Sequence, residues 1–196
     1  MTPNQITCIR IALLPFIAFF YLADFIPWGK FIAVVLFAVA AITDFIDGRL
    51  ARKTGQVTDL GKFLDTIADK LLITVALILV VADGTIAAPW GAIAAIIILC
   101  REFAVTFLRQ VAVNKGIVLA ADKFGKYKAL VQDIALPALM LLAFFVQYGF
   151  WGATFITVFA WICWVLLGLA VVLTILSGIN YFVKNWSVFK DQNPGA

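Results

Sequence analysis

The stretch TDFIDGRLARKTGQVTDLGKFLDTIADK, residues 43–70, carries Asp44, Asp47, Asp65 and Asp69 between two long apolar runs. Its aspartates fall at helical intervals. Asp44, Asp47, Gly48 and Ala51 are spaced i, i+3, i+4 and i+7, which puts them on one face of a helix. Gly61, Asp65 and Asp69, spaced i, i+4 and i+8, share a face of the next helix. A single aspartate at a helix end commonly pairs with a neighbouring cation, and Arg49, Arg52, Lys62 and Lys70 are at hand. Four at these intervals describe something else, because Gly48 and Gly61 clear space on the same faces and Ala51 keeps its face shallow. The two faces make one shared binding surface.

The surroundings of that surface are those of a membrane protein. Of 196 residues, 64% are hydrophobic and 13% charged, and the mean hydropathy is +1.06. Such a chain has more apolar surface than one core can bury, which excludes a water-soluble domain. Apolar runs of the length needed to cross ~30 Å of hydrocarbon place six spans near residues 6–25, 31–51, 61–81, 89–111, 125–148 and 154–183. The chain is thus expected to be an all-α integral membrane protein of six transmembrane helices forming a single domain. The opening MTPNQITCIR has no basic region ahead of its apolar run and does not read as a cleavable signal. Cys8, Cys100 and Cys163 stand singly in apolar surroundings and are expected to be buried thiols.

Basic residues set the orientation. With the N-terminus in the cytoplasm, Lys30 alone of the fifteen Lys and Arg falls on the outer side, a strong positive-inside signal. The four aspartates then lie at the cytoplasmic ends of the second and third spans, across a loop at 53–60. This places the shared surface at the cytoplasmic face of the membrane. The net charge of +4 follows from topology and from attraction to anionic lipid headgroups; it does not point to nucleic acid.

Four carboxylates converging in a partly dry site repel one another and stay ionised only with cations among them. Oxygen ligands favour hard divalent ions, Mg²⁺ or Mn²⁺. Two such ions sharing carboxylates clamp the attacking and leaving oxygens of a phosphoryl displacement. The chain contains no histidine, which excludes a histidine base and a phosphohistidine intermediate. Its serines, Ser177 and Ser187, are far along the chain from the acids. What remains is direct attack by a substrate hydroxyl with a carboxylate taking its proton.

The residues Asp44, Asp47, Gly48, Ala51, Arg52, Gly61, Asp65 and Asp69 follow the pattern D-x2-D-G-x2-A-R-x8-G-x3-D-x3-D. That pattern resembles the signature of the CDP-alcohol phosphotransferases, six-helix membrane enzymes. The resemblance implies a site for two Mg²⁺ ions, Mn²⁺ being possible, that grips the diphosphate of a CDP-linked lipid. Asp44 and Asp65 would bridge both ions, Asp47 would hold one, and Asp69 would hold the other and act as the catalytic base. Gly48, Ala51, Arg52, Thr58 and Gly61 would lie against CDP-diacylglycerol. In the opening PNQITCIR, Asn4, Thr7 and Arg10 resemble a nucleotide-side element of the same family, although an N-cap at Asn4 explains part of that spacing. The resemblance also implies homodimers.

The acceptor alcohol is read from the second half of the chain. REFAVTFLR sets Arg101 and Arg109 two turns apart, and ADKFGKYKALVQ adds Lys123, Lys126 and Lys128. An arginine at the edge of an apolar helix needs a partner. Glu102 or Asp133 could supply one, and an acceptor phosphate held by Arg101, Arg109, Lys123 and Lys126 could supply the other. These stretches resemble the R-E-x6-R and G-K-x-K-T elements of bacterial phosphatidylglycerophosphate synthases, with Ala129 in place of the usual Thr and Thr66 in place of a common Pro. The resemblance implies transfer of the phosphatidyl group of CDP-diacylglycerol to sn-glycerol 3-phosphate, releasing CMP. Phosphatidylglycerol as acceptor, giving a cardiolipin synthase, is the alternative within the family. A divalent-cation transporter is the alternative outside it, but it calls for acids near mid-bilayer and broken helices.

Overall fold

A computed structural model describes residues 3–54, 59–115, 117, 123–149 and 151–186, without the side chains at 3–4, 44–54, 59–60, 62, 114 and 123–124. The described residues form six helices and no strand: α1 (Pro3–Leu22), α2 (Gly29–Thr54), α3 (Asp59–Ala82), α4 (Trp90–Asn114), α5 (Lys123–Tyr148) and α6 (Ala153–Lys184). Four stretches are long and apolar enough to cross a membrane, Gln5–Leu22, Trp90–Val113, Gly125–Tyr148 and Ala153–Lys184, and Gly29–Thr43 is a shorter apolar helix segment. The chain is a multi-pass membrane protein. The connection between α2 and α3 is shorter than the loop expected at 53–60, because α2 continues to Thr54 and α3 begins at Asp59. Both helices therefore run past their apolar parts into the polar stretch that carries the aspartates.

Helix α1 packs on α2 and α3, α5 packs on α6, α2 and α3, and α4 packs on α6 and α3. Each helix turns one stripe inward. Leu14, Ile17 and Tyr21 of α1, Ala33, Phe37 and Ala40 of α2, Ala76 and Val80 of α3, and Leu136, Leu139 and Ala143 of α5 build a common core with Cys163 and Leu167 of α6. The spacings of three and four residues are those of a helix face, and the alanines let neighbouring helices approach. Outward faces carry Phe107, Val165, Val183 and Leu130 well exposed, as a lipid-facing surface requires. This inverted surface corrects one expectation. Cys8 and Cys100 are exposed, and only Cys163 is buried, since in a bilayer apolar sequence neighbours do not imply the protein interior.

Toward one end of the bundle the same inward stripes turn polar. On α1 the stripe that runs through Tyr21, Ile17 and Leu14 continues through Arg10 and Thr7, both buried. On α4 the stripe Ala95, Ile98, Val105, Leu108 contains buried Glu102. On α5 the stripe of Leu139, Leu136 and Ala135 continues through Gln132 and Lys128, and on α6 that of Leu167 and Ala170 continues through Thr174, Ser177 and Tyr181. Polar groups on a membrane helix face the bundle interior because lipid cannot satisfy them. Four helices thus give one interior that is apolar over most of its length and polar at one end.

The opposite end is closed by rings and one ion pair. Lys30 at the start of α2 is paired with Asp83 just past α3, lies 5.5 Å from the centroid of the Tyr21 ring, and Thr85 donates a hydrogen bond to the second oxygen of Asp83 (2.7 Å). Trp28, with φ of 64°, stacks on Tyr148 at 5.8 Å, and its backbone N–H donates to the Tyr148 hydroxyl (2.5 Å). The next residue must be glycine, since a Cβ at Gly29 would come within 2.5 Å of the Phe20 carbonyl oxygen. Lys30, Asp83, Trp28 and Tyr148 together tie α2, α3 and α5. Lys30→Met should lower the thermal midpoint of the purified protein, because it leaves the Asp83 carboxylate without its cation at a cost of about 1–3 kcal/mol. The double variant Lys30→Met/Asp83→Asn should recover part of that loss, and the comparison of the two melts measures the pair.

Candidate active site

At the polar end a cavity of about 540 Å³ opens between α3, α4, α5 and α6. Asp65 and Asp69 from α3, Arg101 and Arg109 from α4, and Lys126 from α5 all line it. Five of the residues singled out by sequence are therefore brought to one place by three helices. Thr66 and Ala129, the two departures from the family pattern, line it as well. Thr7 sits buried on the inward stripe of α1, and Gly61 is half-buried in the first turn of α3. Asp44, Asp47, Gly48, Ala51 and Arg52 lie on α2, Asn4 on α1 and Lys123 at the start of α5, but their side chains are outside the described residues, as is Thr58 altogether.

The acidic side of the cavity rests on α3. Asp65 and Asp69 are about half exposed, one turn apart on the face that looks into the cavity. The buried Arg10 guanidinium of α1 donates to Asp65 at 3.3 Å, and Lys70 lies 3.5 Å from Asp69. Asp65 is thereby fixed from behind by a cation and left open in front. Two oxygen-donor side chains with free faces suit a hard divalent ion. Among the described residues no three acidic side chains converge; the remaining two aspartates of the motif, Asp44 and Asp47, are outside them. The donor chemistry present on α3 fits a hard divalent cation.

The basic side is built differently from what the sequence suggested. Its centre is Glu102, whose side chain is 4% exposed. One carboxylate oxygen is paired with Lys70 of α3, and the other with Lys128 of α5 and with the Arg101 guanidinium at 3.2 Å. Arg101 also donates to the Ser177 hydroxyl of α6 at 2.5 Å. Both readings of Arg101 meet here, for it is partnered within the protein and still lines the cavity. Ser177, set aside by its distance along the chain, is brought to the site by α6. Gly178 belongs to the same contact, because a Cβ there would lie 3.2 Å from Arg101 Cγ. The hydroxyl of Tyr181, one turn further along α6 and also at the cavity, is buried without a hydrogen-bond partner among the described residues.

Lys70, Glu102, Lys128 and Tyr181 were not among the candidate site residues. A signal for two of them existed. Glu102 and Lys128 each occupy a position on the inward stripe of an otherwise apolar helix, at helical spacing from Ile98 and from Leu136. A charged residue on that stripe is directed at the interior.

The acids, the cations and their place at one end of an apolar helical bundle suit a membrane protein that handles an anionic, phosphate-bearing ligand. Residues 1–176 match the family model of the CDP-alcohol phosphatidyltransferases, and the chain belongs to that family. It is 40% identical over 97% of its length to a Bacillus subtilis protein named CDP-diacylglycerol–glycerol-3-phosphate 3-phosphatidyltransferase, 98% of which is covered. Proteins of the same name from Rickettsia bellii and Escherichia coli K12 are 35% and 36% identical, over 92% and 70% of this chain and 92% and 75% of their own.

Gly178→Leu should displace Arg101 from Ser177 and the cavity wall. Transferase activity should fall at least about tenfold, the loss expected when a charged binding group is moved, while solubilisation and oligomer size stay as in the wild type. Full activity in this variant would show that the α6 contact does not set the arginine.

Proposed function

We propose that the chain transfers the phosphatidyl group of CDP-diacylglycerol to sn-glycerol 3-phosphate, giving phosphatidylglycerol phosphate and CMP. The observation that carries this reading is the cavity in which Asp65 and Asp69 face Arg101, Arg109, Lys126 and Lys128. An acidic wall suited to metal and diphosphate stands across from a basic wall suited to a phosphate monoester. The names borne by the curated relatives support the same substrates. Asp44, Asp47, Asp65 and Asp69 would hold two Mg²⁺ ions, which when bound offset the charge of the diphosphate and favour departure of CMP. Asn4, Thr7, Gly48, Ala51, Arg52, Thr58 and Gly61 would contact the nucleotide lipid, and Arg101, Arg109, Lys123 and Lys126 the acceptor phosphate.

In the reaction, Asp69 takes the proton of the acceptor hydroxyl, whose oxygen forms a bond to the lipid-bearing phosphorus as the bond to CMP breaks in line. Arg109 and Lys126, exposed at the cavity mouth, meet the acceptor phosphate from bulk water, and the lipid donor enters from the bilayer. All six helices would cross the inner membrane with the cavity at the cytoplasmic face, and two copies would pair as a homodimer.

Purified protein given CDP-diacylglycerol and Mg²⁺ should release CMP with glycerol 3-phosphate and not with phosphatidylglycerol, serine or inositol phosphate. Chelation should abolish release and added Mg²⁺ restore it. CMP release with phosphatidylglycerol alone would make the chain a cardiolipin synthase, and cation flux in vesicles lacking nucleotide lipid would make it a transporter. Arg109→Ala should raise the KM for glycerol 3-phosphate about tenfold or more and that for CDP-diacylglycerol far less. Asp69→Asn should abolish turnover and retain donor binding.

A further inference from the structure

Glu102 gathers three cations in a way that the proposed chemistry does not use. A single buried carboxylate is paired with Lys70, Arg101 and Lys128, each from the wall of the same cavity. The Lys128 side chain is 3% exposed and that of Arg101 14%. Lys70 also lies 3.5 Å from Asp69, so the cluster joins the acidic face of α3 to cations held in little water. An ion cluster of this kind is a poor device for stability, since apolar residues of similar volume would pack at less desolvation cost. Its geometry suits another purpose. Glu102 spans from α3 to α5, and Ser177 fixes the other side of Arg101 from α6, so that cations from three helices converge in one arrangement before any ligand arrives.

We infer that Glu102 is a positioning residue, which holds Lys70, Arg101 and Lys128 as a preformed receptor for a phosphate monoester. This inference rests on the proposed reading of the cavity as the acceptor site and assigns the part of the wall that reading left out. A phosphate entering the cavity meets cations already gathered, and the ordering of long, flexible side chains is not lost from its binding free energy. Glu102 itself does not touch the ligand; its carboxylate oxygens are occupied by the cations.

The deciding variant is Glu102→Asp, which keeps the charge and withdraws the carboxylate by about 1.5 Å, one carbon–carbon bond. A shortened side chain cannot span Lys70 and Lys128 together. In the purified full-length protein, Glu102→Asp should raise the KM for glycerol 3-phosphate about tenfold, leave the KM for CDP-diacylglycerol within about threefold of wild type, and weaken binding of inorganic phosphate by a factor similar to the first. Glu102→Asp with phosphate binding and acceptor KM unchanged, or with both KM values raised together, would overturn the positioning role. If Glu102→Asp loses its cooperative thermal transition, Glu102→Gln, which keeps the shape, is held to the same two outcomes. Inorganic phosphate separates this inference from the one beneath it. A wild-type protein that binds phosphate yet makes no CMP from glycerol 3-phosphate removes the acceptor assignment, and Glu102 is then decided by phosphate binding alone. A wild-type protein that binds no phosphate overturns both.

Discussion

The pairing of Glu102 with Lys70, Arg101 and Lys128 constrains the end of this molecule that holds the cavity. In a bilayer the helices gain little from merely being apolar, since lipid is equally so, and association rests on close packing and on polar groups that must find partners. Glu102 supplies that requirement where it matters for chemistry. Satisfying it brings α3, α4 and α5 to a fixed separation, and Arg101 extends the linkage to α6 through Ser177. The helices whose ends form the cavity are therefore the same helices that the buried charges tie together. Arg10 performs the equivalent task on the other wall, linking α1 to Asp65.

The apolar core and the polar end are two parts of one pattern. Each inward stripe keeps its helical spacing throughout its length; only the residue type changes, from Leu, Ile and Ala to Arg, Glu, Lys and Ser. The register of each helix is set by the long apolar portion, and the polar side chains arrive at the cavity because they continue the same face. Site geometry thus depends on packing several turns away. A helix rotated to suit lipid rather than its neighbours would carry its charged residues out of the cavity.

Much of this was legible in the sequence, and what was not has identifiable causes. The six helices follow from runs of apolar residues interrupted by polar or glycine-bearing turns. The motif of α2 and α3 pointed to an acidic site because its eight positions are local, within 26 residues, and of its four aspartates Asp65 and Asp69 are described at the cavity. The basic wall is assembled from residues far apart in the chain, so the sequence brought out Arg101, Arg109, Lys123 and Lys126 and left Lys70, Lys128 and Ser177 without a role. Lys126 and Lys128 illustrate the difference: both line the cavity, but the first is exposed and the second buried. Only the stripe on which Lys128 falls distinguishes them. The exposed Cys8 and Cys100 show the converse error, in which an apolar neighbourhood was read as an interior when it was a lipid-facing surface.

The coupling of Lys30 to Asp83 has an effect beyond holding α2 to α3. Since this is the sole lysine or arginine among the described residues at its end of the bundle, its pairing with Asp83 leaves that rim with no free cation, only aromatic rings, a hydroxyl and the exposed carboxylate of Asp24. Among the described residues, the other lysines and arginines lie toward the opposite mouth. A molecule so polarised draws anionic solutes and headgroups toward one opening and offers them nothing at the other, giving substrate traffic a direction before any binding pocket is reached.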